Sequence, residues 1–246
     1  MTVLPVLAER GECVEQFRSL RSHIYMNRQE APLKTILVSS GMPSEGKSFI
    51  AANLAVSLAR NQERRVLLID CDLRRPTIHK MLGAPLSPGI ADYLAGTATL
   101  NGIMQCCETF ENGAADTANT TPEVVFIPAG ECGENVQELA GNHRIEELIA
   151  TLEPHFDWIV IDSPPVLAFA DAVDIARAAD GVLLIARGGR TPFDVAQRAQ
   201  AAFGNSRVLG FVLNAVKDAP RGGYYYNYYS EYDMGGRSKE KKSRRK

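Results

Sequence analysis

Apolar residues along the chain form two kinds of segment that follow each other in turn. Short continuous runs rich in Val, Ile and Leu predict buried strands at 34–40, 64–72, 124–130, 156–165, 181–189 and 207–216. Helix-spaced or alanine-rich stretches predict helices at 12–30, 47–61, 142–155, 171–180 and 191–203, with short helices at 89–96 and 100–107. Continuous strand runs are typical of parallel strands covered on both faces. The alternation therefore predicts a three-layer α/β domain around a mostly parallel sheet.

The chain divides by composition into three segments. Residues 1–31 are dominated by one predicted helix, whose apolar stripe consists of Val14, Phe17, Leu20 and Ile24. Residues 32–218 hold all the predicted strands, interrupted at 109–123 by a polar, turn-rich stretch that we expect to be a mobile loop. Residues 219–246 have little apolar surface to bury, so a flexible C-terminal tail is predicted.

Charge is distributed unevenly between the tail and the rest of the chain. The net charge is −2, but residues 237–246 carry seven Lys or Arg and one Glu, so a tail balance of +6 leaves −8 for the remainder. A basic end on an acidic body favours an anionic partner, such as a membrane surface or nucleic acid. A solvated end without a partner is the alternative.

The sequence contains no sign of a membrane span or of export. No apolar run approaches the roughly 18 residues of a membrane helix. The start, MTVLPVLAERGE, lacks the basic residues of a secretory signal, and Pro5 breaks its apolar stretch. The five cysteines include no CxxC pair, which favours free, buried or half-buried thiols over a zinc site or disulfides. We expect a cytosolic protein and, from its start at Met1, a complete one.

Residues 41–48, GMPSEGKS, fit the phosphate-loop pattern G-x-x-x-x-G-K-[ST] between a predicted strand and a predicted helix. Gly41 and Gly46 allow the backbone to turn its N–H groups toward a phosphate, and the helix start adds partial positive charge. Lys47 would reach the β- and γ-phosphates, and the Ser48 hydroxyl would contact Mg²⁺. A glycine turn without a ligand would leave Lys47 unexplained, so the pattern predicts a nucleotide site.

Three acidic residues lie at the ends of predicted strands. Asp70 and Asp72 end one apolar run, and Asp162 ends another in WIVIDSPP. Because functional groups of parallel strands collect at the carboxyl edge of the sheet, we expect all three beside the phosphate loop. On an extended strand Asp70 and Asp72 would point the same way, toward Mg²⁺, and a hydroxyl acceptor would also need a base. A helix cap or surface turn is the alternative for this pair.

Taken in order, these motifs resemble the bacterial protein-tyrosine kinases (BY-kinases) of polysaccharide synthesis and export over nearly the whole chain. Walker A at 41–48 and Walker B, IVIDSPP, are generic to P-loop proteins. More specific are the Walker A′ sequence VLLIDCDLR and the tyrosine cluster between Tyr224 and Tyr232. A further match is the subunit-contact motif Glu15-x-x-Arg18-x-x-Arg21. The chain has no HRD or DFG pattern of the eukaryotic kinases.

The resemblance implies roles for residues at the matching positions. Lys47 would hold the phosphates, Ser48 and Asp70 would bind Mg²⁺, and Asp162 would complete the metal site. Asp72 would be either the base or a further metal contact, and the sequence does not separate the two. The residues implied in ATP binding are Gly41, Ser44, Glu45, Gly46, Lys47, Ser48, Phe49, Arg74 and Asn214. Arg74 would orient the loop or contact phosphate, and Asn214 would contact adenine or serve only as a turn residue.

Six of the eight tyrosines lie in the tail, and the resemblance makes them the phosphorylation sites: Tyr224, Tyr225, Tyr226, Tyr228, Tyr229 and Tyr232. It also implies a ring of subunits in contact through Glu15, Arg18 and Arg21, in which one tail enters the neighbouring site. Each phosphotyrosine adds a charge of about −1.5 to −2, which would repel the site carboxylates and loosen the ring.

The implied partners are a membrane-bound polysaccharide co-polymerase that activates the kinase and a protein-tyrosine phosphatase. The implied role is control of exopolysaccharide or capsule synthesis and export by a cytoplasmic protein recruited to the inner face of the plasma membrane. One segment departs from the family pattern: ECGENVQELAG retains only Asn135, Glu138 and Leu139 of a proline-rich motif. That departure puts local contacts in doubt and leaves the nucleotide site untouched.

Two other functions fit part of the sequence. A ParA/MinD-like positioning ATPase shares the Walker motifs, but that group has a second lysine in its phosphate loop, which GMPSEGK lacks, and it gives the tyrosines no role. A nucleic-acid-binding P-loop protein would use the tail rings to stack bases and the basic residues to hold phosphates. We expect the kinase, with nucleic acid as the less favoured partner.

Overall fold

The computed structural model of the chain describes residues 12–60, 65–108, 123–131 and 144–216. The predicted loop, the segment with Asn135, Glu138 and Leu139, the six tail tyrosines and the basic end lie outside the described residues, apart from Glu123. By internal contacts the chain separates into Met1–Asn214 and Ala215–Lys246, and every helix and strand given below belongs to the first unit. Among the described residues, no helix combines the length and apolar character needed to cross a membrane.

The described elements alternate as predicted. Helices α1 to α8 span Glu12–Glu30, Lys47–Ala59, Ile78–Leu82, Ile90–Leu94, Leu100–Ile103, Arg144–Leu152, Asp171–Ala176 and Phe193–Ala202. Strands β1 to β7 span Thr35–Ser40, Val66–Asp70, Gln105–Glu108, Glu123–Ile127, Trp158–Asp162, Gly181–Arg187 and Val208–Asn214. A 3-10 helix, Glu153–His155, follows α6.

Within the described residues the strands form a seven-stranded sheet in the order β3-β4-β2-β5-β1-β6-β7. Every neighbouring pair is parallel except β3 and β4. The centre of the sheet is therefore β2-β5-β1, the three strands whose ends carry the predicted site. This arrangement confirms the predicted three-layer α/β fold with a mostly parallel sheet.

Both faces of the sheet are covered, which explains the continuous apolar runs. One hydrophobic cluster contains Leu37, Leu67, Ile69, Ile159 and Ile161 together with residues of α6, α7 and α8. A second cluster contains Ile36, Val38, Val66, Leu68 and Val160 together with residues of α1 and α2. Successive strand residues point to opposite faces, so each central strand supplies apolar side chains to both clusters.

The structure corrects three details of the predicted elements. The second strand ends at Asp70 instead of residue 72, because the chain turns there and the Arg75 amide bonds back to the Asp72 carbonyl at 3.2 Å. The stretch 100–107 is helical only over Leu100–Ile103, and its second half pairs antiparallel with β4 as an edge strand. Helix Ile78–Leu82 was not predicted, since five residues are too few for a periodic pattern.

Three cysteine side chains are described, and two of them agree with the prediction of buried or half-buried thiols. Cys71 is buried and Cys13 is half-buried, and both are free thiols. Cys106 is exposed, because β3 lies at the edge of the sheet.

Helix α1 packs on the same core as the central sheet. Val14, Phe17 and Ile24 are at most 4% exposed, and the Phe17 ring meets the Phe49 ring edge-on at a centroid distance of 6.2 Å. At the C-terminal end of α1, Arg207 donates to the Asn27 carbonyl at 2.9 Å. Because Phe49 lies in the first turn of α2, the N-terminal helix is in direct contact with the element that follows the phosphate loop.

We predict that Phe17→Ala destabilises the protein by about 3–5 kcal/mol, since it removes a buried ring from a packed interface. Met26→Ala on the same helix is the control, because Met26 is 61% exposed and its loss should cost less than about 0.5 kcal/mol. Urea unfolding followed by circular dichroism measures both. Equal stability of the two variants would contradict the packing of α1 on the core.

Candidate functional site

The carboxyl ends of the three central strands bring the predicted site residues to one edge of the sheet. The register pairs Val38 of β1 with Asp162 of β5, and Asp162 with Asp70 of β2. The phosphate loop leaves β1 two residues after Val38, at Ser40. Beyond the ladder, the Cys71 amide donates to the Asp162 carbonyl at 2.9 Å, which keeps the two acidic strand ends together.

The phosphate loop has the backbone turns that its sequence predicts. Gly46 has φ 98° and a Cβ there would lie 2.1 Å from the Asn214 Nδ2 atom, so only glycine fits without a shift. Ser44 also has a positive φ, of 63°. At the start of the loop, a Cβ on Gly41 would lie 3.1 Å from the Val195 side chain of α8. Lys47, the first residue of α2, is 6% exposed.

The buried Glu45 side chain stabilises the phosphate loop by hydrogen bonds. It is 2% exposed, and its carboxylate accepts a hydrogen bond from the Met42 amide at 2.8 Å, closing the loop on itself. The same carboxylate accepts a short hydrogen bond from the Thr191 hydroxyl, which lies after β6. Thr191 in turn accepts from the Arg187 amide at 2.8 Å. The loop is thus connected to the segment that follows β6.

Two further side chains hold the loop backbone from the same side. Arg187 donates to the Ser44 carbonyl at 3.2 Å, and Asn214 donates to the Glu45 carbonyl at 2.9 Å. Asn214, the last residue of β7, therefore uses its side-chain amide nitrogen to bind the phosphate loop. Its contact with adenine stays a prediction. We call Glu45, Thr191, Arg187 and Asn214 the loop brace.

The Asp70 carboxylate is fully buried, and Asp70 is the last residue of β2, where the chain begins to turn. Its Oδ1 accepts from the Asp72 amide at 3.2 Å, and its Oδ2 accepts from the Thr77 and Ile78 amides at 3.3 and 3.2 Å. These bonds explain why helix α3 begins at Ile78. They also shape the segment 71–77, which we call the A′ loop.

Asp72 lies in the A′ loop and not on the strand, which corrects the prediction that strand alternation aligns it with Asp70. Its Oδ1 accepts from the Arg75 amide at 3.1 Å. Asp72 is 6% exposed and interacts with the charge of Lys47. The turn after β2 therefore brings Asp72 near the phosphate-loop lysine by a different geometry from the one predicted.

Asp162 is the acidic residue whose surroundings are incomplete. It is 0% exposed, and apart from the nearby Ser48 hydroxyl its carboxylate oxygens have no hydrogen-bond partner among the described residues. The Ser48 hydroxyl and the Lys47 ammonium lie near enough to influence its pKa. Buried polar atoms without partners are rare and call for a missing ion or water.

The donor set fits Mg²⁺ as a resident cation. The surrounding groups are a hydroxyl and carboxylates, and Mg²⁺ prefers oxygen ligands. In the described part of the chain no three His, Cys, Asp or Glu side chains are grouped closely enough to hold a metal by themselves. Mg²⁺ in nucleotide sites keeps several waters and takes one or two carboxylates together with phosphate oxygens.

Burial raises the pKa values of all three carboxyl groups, and repulsion from neighbouring carboxylates adds to the effect at Asp70 and Asp162. Burial, with a contribution from the Asp72 charge, raises the pKa of Asp70 to about 7 against the opposing effect of its backbone hydrogen bonds. Burial and the Asp70 charge raise the pKa of Asp162 well above its usual range, although Lys47 and Ser48 act in the opposite direction. Burial also raises the pKa of Asp72, and Lys47 opposes that shift. Positive charge from a cation would relieve this repulsion.

Arg74, which was predicted to contact phosphate or to orient the loop, contacts the segment after β5. Its Nε and Nη2 atoms both donate to Asp171 Oδ2 at 3.2 Å. Its guanidinium carbon lies 4.2 Å from the centre of the Phe169 ring. A contact with phosphate stays a prediction.

The predicted subunit-contact residues lie apart from this edge. Arg18 and Glu15 form an exposed ion pair at 2.7 Å on α1. Arg21 donates to the Ser57 carbonyl at 2.6 Å, in the last turn of α2, whereas Lys47 begins that helix. The two ends of α2 are separated by ~20 Å at a rise of 1.5 Å per residue. The Phe49 side chain, predicted to bind cofactor, packs on Phe17.

Several residues of this site were not predicted from the sequence. Thr191 and Arg187 lie more than 140 positions after the loop that they hold, and Asp171 and Phe169 lie more than 90 positions after Arg74. No local pattern marks them, since a single threonine or aspartate in a connecting segment has no signature of its own. Only the folded arrangement of the strand ends reveals them.

Comparison with known proteins places the chain among nucleotide-binding proteins and tyrosine kinases. Residues 36–235 match the family model described as the CobQ/CobB/MinD/ParA nucleotide binding domain. The chain is 32% identical to tyrosine-protein kinase YwqD of Bacillus subtilis, over 89% of this chain and 87% of that protein. It is 33% identical to tyrosine-protein kinase wzc of Salmonella typhimurium over 92% of this chain, and it spans 30% of that protein's length.

Solved structures give the same result. The kinase domain of Escherichia coli tyrosine kinase ETK matches with a TM-score of 0.72 and 28% identity, over 82% of this chain and 75% of that domain. The septum site-determining protein MinD of Pyrococcus horikoshii, solved with Mg-ADP, matches with a TM-score of 0.60 and 25% identity, over 73% of this chain and 69% of that chain. Both fold and sequence are therefore more similar to the kinase domain.

We predict that Thr191→Val weakens ADP binding about tenfold, because it removes a hydrogen bond to the buried Glu45 carboxylate. Thr151→Val is the control, since the Thr151 hydroxyl bonds only the Glu147 carbonyl on the exposed side of α6. Titration with a fluorescent ADP analogue in the presence of Mg²⁺ measures both. Unchanged affinity in Thr191→Val would contradict the loop brace.

The raised pKa of Asp162 predicts how Asp162→Asn changes stability with pH. Without divalent cations, the Asp162 carboxyl ionises near its ordinary pKa in the unfolded chain. In the folded wild type the same carboxyl stays protonated to a higher pH. Wild type therefore loses stability relative to the variant as pH rises from about 5 to 8. The stability of Asp162→Asn relative to wild type should therefore be higher at pH 8 than at pH 5.

Thermal unfolding of both proteins in EDTA, at pH 5 and pH 8, measures this difference. Adding Mg²⁺ and ADP at pH 8 should stabilise wild type more than the variant, since only wild type keeps the anionic oxygens. A stability difference that is the same at both pH values would show that Asp162 does not titrate in this range.

Proposed function

Because the chain belongs to the CobQ/CobB/MinD/ParA nucleotide-binding family and to the bacterial tyrosine-protein kinases, we propose that it is an ATP- and Mg²⁺-dependent protein-tyrosine kinase. Its acceptors are the tail tyrosines Tyr224, Tyr225, Tyr226, Tyr228, Tyr229 and Tyr232. YwqD, whose name describes this activity, supports the proposal over 87% of its own length.

The observation that carries the proposal is the incomplete environment of Asp162. A buried carboxylate whose neighbours among the described residues include the Ser48 hydroxyl and the Lys47 ammonium, and which has oxygen lone pairs left over, fits a magnesium-bound nucleotide whose phosphates lie on the loop. When bound, Mg²⁺ would neutralise charge on the β- and γ-phosphate oxygens. Ser48, Asp70 and Asp162 are the residues that would hold it.

The residues present have the chemistry for transfer to a phenol. The tyrosine oxygen forms a bond to the γ-phosphorus, the bond to the bridging β–γ oxygen breaks, and ADP leaves with the electron pair. Lys47 places its positive charge beside the phosphates where negative charge accumulates. The phenol proton passes to a carboxylate, for which Asp72 is the candidate because it is a slightly exposed member of the acidic group.

The tail of one subunit reaches the site of a neighbour, so that phosphorylation occurs in trans. The exposed pair of Glu15 and Arg18 on α1 supplies the contact between subunits in a ring, with Arg21 joining α1 to the end of α2. Accumulated phosphate charge on the tail then repels the acidic site and releases it. Residues 1–31, 32–218 and 219–246 would act as contact segment, kinase domain and substrate tail.

The kinase would act in control of exopolysaccharide or capsule synthesis, at the inner face of the plasma membrane. A membrane-bound co-polymerase would activate it, a protein-tyrosine phosphatase would reset it, and the basic end would contact anionic lipid. This part of the proposal is supported by the family alone. The chain spans under a third of the length of wzc.

The alternative supported by a specific observation is an ATPase like MinD, because the MinD structure matches over 73% of this chain. Such a protein would hydrolyse ATP without modifying itself. A nucleic-acid-binding protein would retain most of its affinity when the tail tyrosines become phenylalanine, because the rings still stack.

We predict that wild type gains one or more phosphates, in steps of about 80 Da, when incubated with Mg·ATP and any activating membrane partner. Intact-mass analysis followed by peptide mapping measures the gain and places it between residues 224 and 232. Lys47→Met should lose at least about 99% of the rate, because it removes the phosphate-binding charge.

The matched variant replaces the six tail tyrosines by phenylalanine and keeps Tyr25 and Tyr93, which lie in the folded unit. It should bind ADP as wild type does and gain no phosphate. ATP hydrolysis by wild type without any gain in mass would reject the kinase and favour the MinD-like ATPase.

A further inference from the structure

We propose that Asp171, together with Phe169, is a positioning residue that holds Arg74 and thereby fixes the Asp72 carboxylate for transfer to tyrosine. This inference rests on the proposed function. Neither Asp171 nor Phe169 belongs to a Walker motif, and both come from the segment that follows Asp162. Their contacts with Arg74 tie the A′ loop to the chain that leaves β5.

The contacts restrict Arg74 in two directions. Its Nε and Nη2 atoms converge on a single oxygen, Asp171 Oδ2, at 3.2 Å, which fixes the plane of the guanidinium. The Phe169 ring covers the face of that plane at 4.2 Å. A charged, planar group with one partner at its edge and another on its face has little freedom to rotate.

Arg74 is close enough along the chain to transmit this restraint to Asp72. Arg74 lies two residues after Asp72 in the chain. The Arg75 amide, one residue further on, donates to the Asp72 carbonyl at 3.2 Å and to the Asp72 Oδ1 at 3.1 Å. The Asp72 carboxylate is therefore part of a tight turn that also contains Arg74, and Arg74 is hydrogen-bonded to Asp171. Movement of Arg74 would move this turn.

The residues that hold Arg74 are themselves fixed to the phosphate-loop strand. The Val166 amide donates to the Ser40 carbonyl at 2.8 Å, and the Phe169 amide donates to the Pro165 carbonyl at 3.1 Å. The segment 163–170 is thus fastened to the end of β1, where the phosphate loop begins. Asp171 consequently sets the position of Asp72 relative to the bound phosphates.

Different contacts position Asp72 and the phosphate loop that would bind the nucleotide. The loop brace holds the phosphate loop through β6 and β7, on the other side of β1 from β5 and β2. Arg74 and Asp171 are 22% and 20% exposed, so removing one partner of this mostly buried pair lowers the stability of the fold. Because the phosphate loop is held from the other side of β1, the loss should still affect phosphate transfer much more than nucleotide binding.

The test compares Asp171→Asn with Asp174→Asn, the same substitution on the same helix. Among the described residues the Asp174 carboxylate forms an exposed pair with Arg177 at 3.7 Å, so Asp174→Asn should leave the rate unchanged. Asp171→Asn should lower the maximal rate of tail phosphorylation about 10- to 100-fold, while KM for ATP and affinity for ADP stay within about twofold. Asp171→Glu, which keeps the carboxylate, should recover most of the rate.

Hydrogen exchange provides a readout that does not depend on activity. Peptides covering residues 71–78 should exchange faster in Asp171→Asn than in wild type or Asp174→Asn, because the amides of Arg75, Thr77 and Ile78 lie in the restrained turn. Phe169→Leu should also make residues 71–78 exchange faster. It serves as the second variant if Asp171→Asn does not fold.

Three outcomes would overturn the inference: an unchanged rate in Asp171→Asn, an equal loss in Asp174→Asn, or a parallel loss of ADP affinity. If wild type forms no phosphotyrosine, the proposed function fails, and the exchange comparison alone then decides the restraint. Equal exchange in all variants would reject it, and faster exchange confined to 71–78 would support it.

Discussion

The carboxylates of Asp70, Asp72 and Asp162 lie where little water reaches, and like charges in such a place repel strongly. The Lys47 charge opposes the rise in the pKa values of Asp72 and Asp162, and the Arg75 charge also opposes it at Asp72. The arrangement is costly for a protein alone and favourable for a protein that holds a cation and a phosphate. The parallel sheet creates this condition, because β2-β5-β1 end side by side.

The rest of the structure keeps that charged edge rigid. The loop brace holds the phosphate loop from β6 and β7, and the Arg74–Asp171 contact holds the A′ loop from the segment after β5. Helix α2 runs from Lys47 to the turn where Arg21 of α1 donates to Ser57. Through α2, the predicted subunit-contact helix and the phosphate loop are in contact with one buried element.

The sequence was informative where chemistry and periodicity are local. Continuous apolar runs located the central strands, and the spacing of Gly41, Gly46 and Lys47 located the phosphate loop. Asp72 was placed on a strand because alternation is a local rule, whereas the turn depends on the Asp70 carboxylate accepting distant amides. Thr191 and Asp171 were not found, since their role exists only after folding brings segments far apart in sequence together.

We propose that one subunit transfers phosphate from its own ATP site to the tail of another. Mixing two complementary full-length variants measures this directly: Lys47→Met supplies acceptor tyrosines without a competent site, and the variant with six tail phenylalanines supplies a competent site without acceptors. With Mg·ATP and any activator, the account predicts phosphate on the Lys47→Met chain in the mixture and on neither variant alone. Phosphorylation of wild type together with an unmodified Lys47→Met chain in the mixture would contradict it.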